Sequence, residues 1–309
     1  MLRRNVLVFH SGALGDFVLT WPLALALSRL WPQSRIIYVT QKQKGLLAEK
    51  ALRVEWTDAE SGWHHLHGNP ADLPEDSRKK LQSAHAIFPF AARPDDRWIE
   101  SVRQIAGSAD VVPVSVNPPE NWTHHASEYL LQTLAAAPAV QSAVQHILSS
   151  IAARGVSITR PDRTSEPEIL LHPGGGSPEK CWPLQNFLHL AEKLTRDGRP
   201  SKFLLGEVER DRWPATDIKR LESAAPVADT PTYLDLLTTL SKSDLVIAND
   251  TGPAHLAAII GTPTLTLFGP TNPAIWAAQG PRVTILHRNP LKDLPIEEVE
   301  QATRQVAAV

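Results

Sequence analysis

The sequence VLVFHSGALGD, residues 6–16, joins an apolar run to a glycine-containing turn and then to a helical pattern. Val6 to Phe9 are β-branched or aromatic residues without polar alternation, which is typical of a parallel strand buried on both faces. Apolar residues at helical spacing follow from Asp16 to Leu30. This strand, turn and helix predict one unit of a parallel α/β sheet.

The alternation of strand and helix patterns continues along the chain and is interrupted once. It stops in residues 156–167, which hold two prolines and several charges without periodicity, and then starts afresh. We therefore predict an N-terminal domain over 1–155, a linker over 156–167, a C-terminal domain over 168–294 and a terminal helix over 295–309. Ligands of such folds bind at the carboxyl ends of the strands, which predicts a site in a cleft that the two domains face.

The composition is that of an ordinary globular protein. Of 309 residues, 42% are hydrophobic and 21% are charged, and 31 Lys and Arg nearly balance 33 Asp and Glu. Neither half has a basic excess, which argues against nucleic-acid binding through bulk charge. The single cysteine, Cys181, allows no intramolecular disulfide and indicates a reducing, cytoplasmic setting. Because His10, Ser11 and Asp16 interrupt the first apolar run, we interpret it as part of the fold and not as a signal peptide or a membrane span.

The loop after the first strand carries the first candidate site residues. Gly12 and Gly15 allow the backbone to approach a ligand, and Asp16 places a carboxylate in the first turn of the next helix. A dinucleotide-binding turn would need G-x-G-x-x-G and an acidic residue after the second strand, whereas this chain has G-x-x-G and Thr40-Gln41. The structural alternative is that Asp16 only complements the helix dipole.

A second loop, residues 171–183, contains three consecutive glycines between a strand and a helix. Such a turn exposes backbone N–H groups that can bind an anion, and Lys180 adds a positive charge suited to phosphate. The spacing of a Walker loop is absent. The alternative is a glycine-rich turn with a solvated lysine.

A third loop, Ala248–His255, follows another apolar strand. Thr251 can cap the next helix, and Pro253 suits its first position, so free N–H groups there predict an anion site. His255 falls on the first helical turn and either donates to the same anion or packs as a neutral residue. The turn at 268–273 follows the next strand and is expected to lie beside this loop. Three such loops in one domain, with one carboxylate in the other, indicate a functional site.

Two histidine-containing stretches are predicted to have a structural role. His64, His65 and His67 lie in a polar segment without acidic residues at ligand spacing, so we predict no metal site. The segment 123–126 precedes a helix and is expected to cap it and pack.

In their order along the chain, these loops resemble glycosyltransferase family 9, the ADP-heptose:lipopolysaccharide heptosyltransferases. The resemblance runs nearly end to end and rests on residues 12–16 (GALGD), 172–183 (HPGGGSPEKCWP), 205–210 (LGEVER), 249–255 (NDTGPAH) and 268–273 (FGPTNP). It implies a GT-B fold, which is an α/β architecture of two Rossmann-like parallel-sheet domains facing a central cleft. The acceptor would bind to the first domain and the nucleotide-sugar to the second, and the terminal helix would cross back to the first domain.

The resemblance also implies roles for individual residues. Asp16 corresponds to the catalytic base, Lys180 to the residue that meets the donor phosphates, and Glu209 to the acid near the donor ribose. The predicted catalytic residues are Asp16 and Lys180, and the predicted donor-binding residues are Gly12, Gly15, Gly174, Gly175, Gly176, Ser177, Glu209, Asp250, Thr251, Gly252 and His255. Cys181 stands where members of the family often carry a basic residue.

The expected activity is an inverting, metal-independent transfer of a sugar, heptose from ADP-heptose, to a hydroxyl of a lipopolysaccharide-core or other glycan or glycolipid. An inverting transfer is a single displacement that needs a base on the hydroxyl and stabilisation of the leaving diphosphate. We expect no cofactor besides the ADP-sugar substrate, no nucleic acid and no partner protein; peripheral contact with the cytoplasmic face of the inner membrane stays open. The alternatives are a sugar-nucleotide epimerase or hydrolase without an acceptor, and a non-catalytic binding protein.

Overall fold

The structure is a computed structural model that describes residues 4–90, 96–158 and 168–307. The chain divides into two compact domains, Met1–Ser149 and Ser150–Val309. Residues 159–167 of the predicted linker lie outside the described residues, and the predicted domain bounds stay predictions.

The first domain alternates strands and helices, as the sequence predicts. Its strands are β1 (Asn5–Phe9), β2 (Arg35–Thr40), β3 (Glu55–Asp58), β4 (Ala84–Pro89) and β5 (Asp110–Val111). Its helices are α1 (Leu14–Leu19), α2 (Trp21–Leu30), α3 (Lys42–Leu52), α4 (Glu75–Gln82), α5 (Arg97–Ala106), α6 (Ala126–Thr133) and α7 (Pro138–Arg154), the last of which continues past Ser149.

The first sheet has the strand order β3-β2-β1-β4-β5, and its pairs are parallel. Val6, Leu7 and Val8 of the central strand β1 are fully buried, which explains their uniformly apolar character. The chain moves outward from β1 to β3 and returns to place β4 on the other side of β1. The loop after β1 therefore lies at a topological switch point, where open α/β sheets bind ligands.

The core of the first domain includes part of the histidine-containing segment. Phe9 packs edge-to-face against Trp63 and Trp98, with ring centroids 5.1 and 4.8 Å apart. Trp63 and Leu66 are buried in a short 3₁₀ turn, so this segment packs against the sheet. In the part of the chain that the structure describes, no group of three or more His, Cys, Asp or Glu is placed to hold a metal ion.

The second domain repeats the pattern. Its strands are β6 (Ile169–His172), β7 (Ser201–Gly206), β8 (Val227–Thr230), β9 (Leu245–Asn249), β10 (Thr264–Phe268) and β11 (Val283–His287). Its helices are α8 (Leu184–Arg196), α9 (Glu207–Arg212), α10 (Ala215–Ala224), α11 (Tyr233–Lys242), α12 (Gly252–Ile259), α13 (Pro273–Trp276) and α14 (Ile296–Ala307).

The second sheet has the order β11-β10-β9-β6-β7-β8, and its pairs are also parallel. The strand order reverses between β6 and β9, so the loops after these two strands flank the second switch point. Val299 and Ala302 of α14 are buried in the core of this domain together with Leu265 and Leu267 of β10. The crossing of the terminal helix to the first domain stays a prediction.

The lengths and compositions of the helices bear on membrane insertion. Among residues 4–90, 96–158 and 168–307, no helix is both long and apolar enough to cross a membrane.

Candidate functional site

The predicted loops of the second domain leave the carboxyl ends of neighbouring strands. The sheet order places β10, β9, β6 and β7 side by side, so the loops that follow them share one edge. The Asp250 amide donates to Leu267 O at 3.1 Å, and a Cβ on Gly269 would lie 2.8 Å from Glu179 O. The turn at 268–273 therefore lies beside the other two loops, as the sequence predicts.

Asn249, the last residue of β9, holds both ends of the glycine-rich loop against the sheet. Its Oδ1 accepts from the Trp182 amide at 3.0 Å, and its Nδ2 donates to Pro173 O at 3.0 Å and to Gly174 O at 2.9 Å. The side chain is fully buried, so these bonds replace water on every group involved. We call Asn249 with these three bonds the asparagine staple. Asn249 was not among the residues predicted from the sequence; the available signal was the amide that ends the otherwise apolar strand LVIAN.

The glycines of the second loop have two different functions. A Cβ on Gly174 would lie 2.2 Å from Glu209 Oε1, and a Cβ on Gly175 would lie 2.6 Å from Cys181 Sγ. These two glycines therefore permit close side-chain packing, which the sequence did not predict. Gly176 is exposed, with no atom within 4 Å of an added Cβ, so its backbone is accessible from solvent.

The turn after these glycines is closed by the carbonyl of Ser177. It accepts from the Lys180 amide at 3.1 Å and from the Cys181 thiol at 3.3 Å. Burial, followed by the negative charges of Glu209 and Glu179, raises the pKa of the Cys181 thiol. The thiol therefore stays neutral near pH 7 and serves as a donor within the turn.

A charged cluster lies at the switch point. Asp250 is buried, and its carboxylate lies between Lys180 Nζ and His255 Nε2, each 3.7 Å from one carboxylate oxygen. About a third of the Lys180 side chain is exposed. Asp250 therefore orients a partly solvated cation at the end of the glycine-rich loop.

Thr251 occupies the N-cap position of α12, but its predicted capping role is wrong. Its hydroxyl donates to Asn249 O at 3.1 Å, and it makes no side-chain cap hydrogen bond to the start of the helix. Gly252 is the first residue of α12, so Pro253 takes the second position and not the predicted first. The hydroxyl is directed back to the last carbonyl of β9 and not to the amides of α12, which accounts for the difference.

Glu209 is buried at the start of α9. Its Oε2 accepts from the Gly206 amide at 2.9 Å, while its Oε1 lies against Gly174. His172, also buried, contacts Leu204 O through Nδ1 at 3.0 Å. One carboxylate oxygen of Glu209 thus fixes the helix start, and the other faces the glycine-rich loop.

The predicted residues of the first domain lie at the other switch point. Asp16 is in the first turn of α1 and half-buried, next to the half-buried Gly15. A Cβ on Gly12 would lie 3.2 Å from the His10 imidazole and 3.3 Å from Asp16 Oδ2. Burial, followed by the charge of Lys44, lowers the pKa of His10 to about 3, so this imidazole is neutral.

The structure thus places the predicted residues in two groups. Lys180 and the donor-binding residues from 174 to 255 share one edge of the second sheet, and Gly12, Gly15 and Asp16 share the corresponding edge of the first. Their catalytic and binding roles stay predictions.

Comparison with known proteins connects this arrangement to one family. A family model described as glycosyltransferase family 9 (heptosyltransferase) matches residues 63–304. Lipopolysaccharide heptosyltransferase 1 of Pseudomonas aeruginosa is 34% identical over 101 residues, which cover 33% of this chain and 28% of that protein. The matched segment therefore spans less than a third of the relative's length.

Solved structures show the same fold over nearly the whole chain. A glycosyltransferase family 9 structure from Veillonella parvula has a TM-score of 0.75 at 19% identity, covering 99% of this chain and 97% of that one. Escherichia coli heptosyltransferase WaaC, solved with ADP, has a TM-score of 0.67 at 16% identity, covering 98% of this chain and 99% of that one. These likenesses confirm the predicted GT-B fold class with its two Rossmann-like parallel-sheet domains.

Proposed function

Because this chain belongs to glycosyltransferase family 9, we propose that it is an inverting glycosyltransferase that moves heptose from ADP-heptose to a hydroxyl of a lipopolysaccharide-core or related glycan acceptor. One observation carries the proposal. At the switch point of the second sheet, Lys180 lies 3.7 Å from Asp250, which precedes the start of α12, and the exposed Gly176 belongs to the same loop as Lys180. Such a combination of a cation and backbone amides suits the diphosphate of a nucleotide-sugar.

The donor proposal assigns a task to each group of the second domain. Lys180 meets the diphosphate as a point charge, and Asp250 keeps its ammonium group oriented. Glu209 lies close to the ribose, with Oε1 directed to the loop. The E. coli heptosyltransferase of the same fold, which was solved with ADP, supports ADP as the nucleotide of the proposed donor.

The chemistry is a single displacement at the anomeric carbon. The acceptor oxygen forms a bond to this carbon while the bond to the ADP phosphate oxygen breaks, and ADP leaves with that electron pair. Asp16 takes the proton of the acceptor hydroxyl, a contribution of typically about 10²–10⁴-fold in rate. Lys180 and the backbone amides stabilise the negative charge that develops on ADP. With Lys180 in this role, we propose that transfer needs no divalent metal.

We further propose that the reaction takes place in the cytoplasm. Cys181 is the only cysteine of the chain, and it is a free thiol whose hydrogen bond closes the glycine-rich turn. A reducing compartment keeps that thiol intact.

The test compares Asp16→Asn with the wild type in transfer from ADP-heptose to a lipopolysaccharide-core acceptor. We expect transfer to fall at least about 10²-fold, ADP affinity by titration calorimetry to stay within a few-fold, and EDTA to leave the wild-type rate unchanged. Asp76→Asn, at an exposed position in α4 of the same domain, is the matched control.

Three outcomes would contradict the proposal. Turnover that survives in Asp16→Asn would remove the base assignment, and failure of both ADP and UDP to bind would remove the donor site. Release of ADP from ADP-heptose without a transfer product would favour a hydrolase or an epimerase.

A further inference from the structure

We propose that Lys44, together with Gln41, clamps the loop that carries Asp16, and that Lys44 is a positioning residue for sugar transfer. The inference rests on the proposed function, in which Asp16 is the base. It concerns the turn between β2 and α3, which neither the sequence motifs nor the donor site includes.

The clamp is visible as a set of hydrogen bonds between two loops. Lys44 Nζ donates to Gly12 O at 2.5 Å, lies 3.5 Å from Ser11 O and donates to Gln41 Oε1 at 2.5 Å. Gln41 Nε2 donates to Ser11 O at 3.3 Å. The carbonyl groups of Ser11 and Gly12, in the loop before α1, are therefore held by side chains from the start of α3 and the residue before it.

The position is unfavourable for a lysine on stability grounds. Lys44 is only 7% exposed and lies in the first turn of α3, where the helix dipole disfavours a cation. Burial lowers its pKa, and the negative charge of Asp16 acts in the opposite direction. The hydrogen-bond acceptors of Lys44 are neutral oxygens, so the negative charge that favours its protonated form comes from Asp16. A buried cation kept under these conditions indicates a role toward Asp16.

The surroundings of Asp16 show how such a role would work. Gly12 separates the neutral imidazole of His10 from the Asp16 carboxylate, with an added Cβ 3.2 and 3.3 Å from the two groups. The Gly12 carbonyl is also the one that Lys44 holds most tightly. Movement of this carbonyl would shift the carboxylate, and a misplacement of about 1 Å can reduce an enzymatic rate roughly 10²-fold.

The same turn explains the residue that follows β2. In dinucleotide-binding folds this position holds an acid that binds a ribose, whereas here Gln41 binds the backbone of the neighbouring loop. The end of β2 has therefore become a support for the loop that carries Asp16.

The experiment compares Lys44→Met, Lys44→Arg and Gln41→Leu with the wild type, and uses Lys42→Met, at an exposed position of the same helix, as the matched control. We expect Lys44→Met to lower kcat by roughly 10- to 100-fold, with the KM for the donor and the Kd for ADP within two-fold. Lys44→Arg keeps the charge and the donors, so it should recover most of the loss. Lys42→Met should match the wild type.

A structural readout separates this inference from the proposed function. Amide hydrogen exchange in a peptide spanning residues 10–17 should be faster in Lys44→Met than in Lys42→Met and the wild type, whether or not the enzyme transfers sugar. If the wild type shows no transfer, the proposed function fails while the exchange data still decide the clamp. Unchanged exchange, or an unchanged kcat in an active enzyme, would overturn the inference. If Lys44→Met does not fold, Gln41→Leu, at an exposed position, provides the same two measurements.

Discussion

Replacement of Asn249 by alanine tests whether the asparagine staple holds the glycine-rich loop in place. The variant removes three buried hydrogen bonds of 2.9–3.0 Å that reach Pro173, Gly174 and Trp182. At about 1 kcal/mol for each bond, the free energy of unfolding of the second domain should fall by about 3 kcal/mol. If half of that loss is the cost of ordering the loop on binding, the Kd for ADP should rise about tenfold.

Urea denaturation measures the free energy of unfolding of the variant and the wild type. Titration calorimetry then measures the Kd for ADP at a temperature where both proteins are folded. Asn249→Asp provides a second arm, because it keeps the acceptor for Trp182 N–H but loses the donor to the two carbonyl groups. Asn186→Ala, at a half-buried position in α8, is the control and should change neither quantity appreciably. An ADP affinity within two-fold of wild type in folded Asn249→Ala would refute this reasoning and leave Asn249 a role in stability alone.

Two further predictions concern stability and packing. The pKa of His10 is about 3 in the folded protein and about 6.5 when unfolded, so the unfolded state binds more protons between these values and stability falls as the pH drops below 6.5. Between pH 7 and pH 5, His10 alone should therefore lower the free energy of unfolding of the wild type by about 2 kcal/mol, and His10→Phe should not show this loss in urea titrations. If the variant and the wild type depend equally on acid, His10 is not neutral in the fold. Gly174→Ala should displace Glu209, since the new Cβ would lie 2.2 Å from its Oε1. Calorimetry should then show ADP binding weakened at least about tenfold. Full ADP affinity in this variant would show that Glu209 does not lie near the nucleotide.

The elements that the sequence predicted well are those with a strong burial pattern. The central strands β1 and β9 are buried along their whole length, and each is an apolar run apart from one terminal asparagine. The strands β3 and β8 lie at sheet edges, and α4 buries only Ser77 and Leu81, so their sequences carry little apolar periodicity and were not predicted. In the valine-rich segment 111–116 the strand β5 ends at Val111, although the amides of Val112 and Val114 still donate to Ile87 O and Pro89 O of β4 at 2.9 and 3.0 Å.

The site was predictable in its loops but not in its supports. Glycines, Lys180 and the residues after β9 mark strand-to-helix turns that local spacing identifies. The asparagine staple joins residues 67–76 positions apart in the chain, and the clamp of Lys44 joins residues 32 positions apart. Hydrogen bonds of this span depend on which strands become neighbours, and a single sequence does not contain that information.

The indole of Trp182 connects the glycine-rich loop to the segment that leads into α14. Its Nε1 donates to Leu294 O at 3.0 Å, and the ring is almost completely buried. Residues near Leu294 can therefore influence the loop although they lie outside it. A substitution that removes the indole would leave the buried Leu294 carbonyl without this donor, so the path of the chain into α14 depends on a residue of the glycine-rich loop.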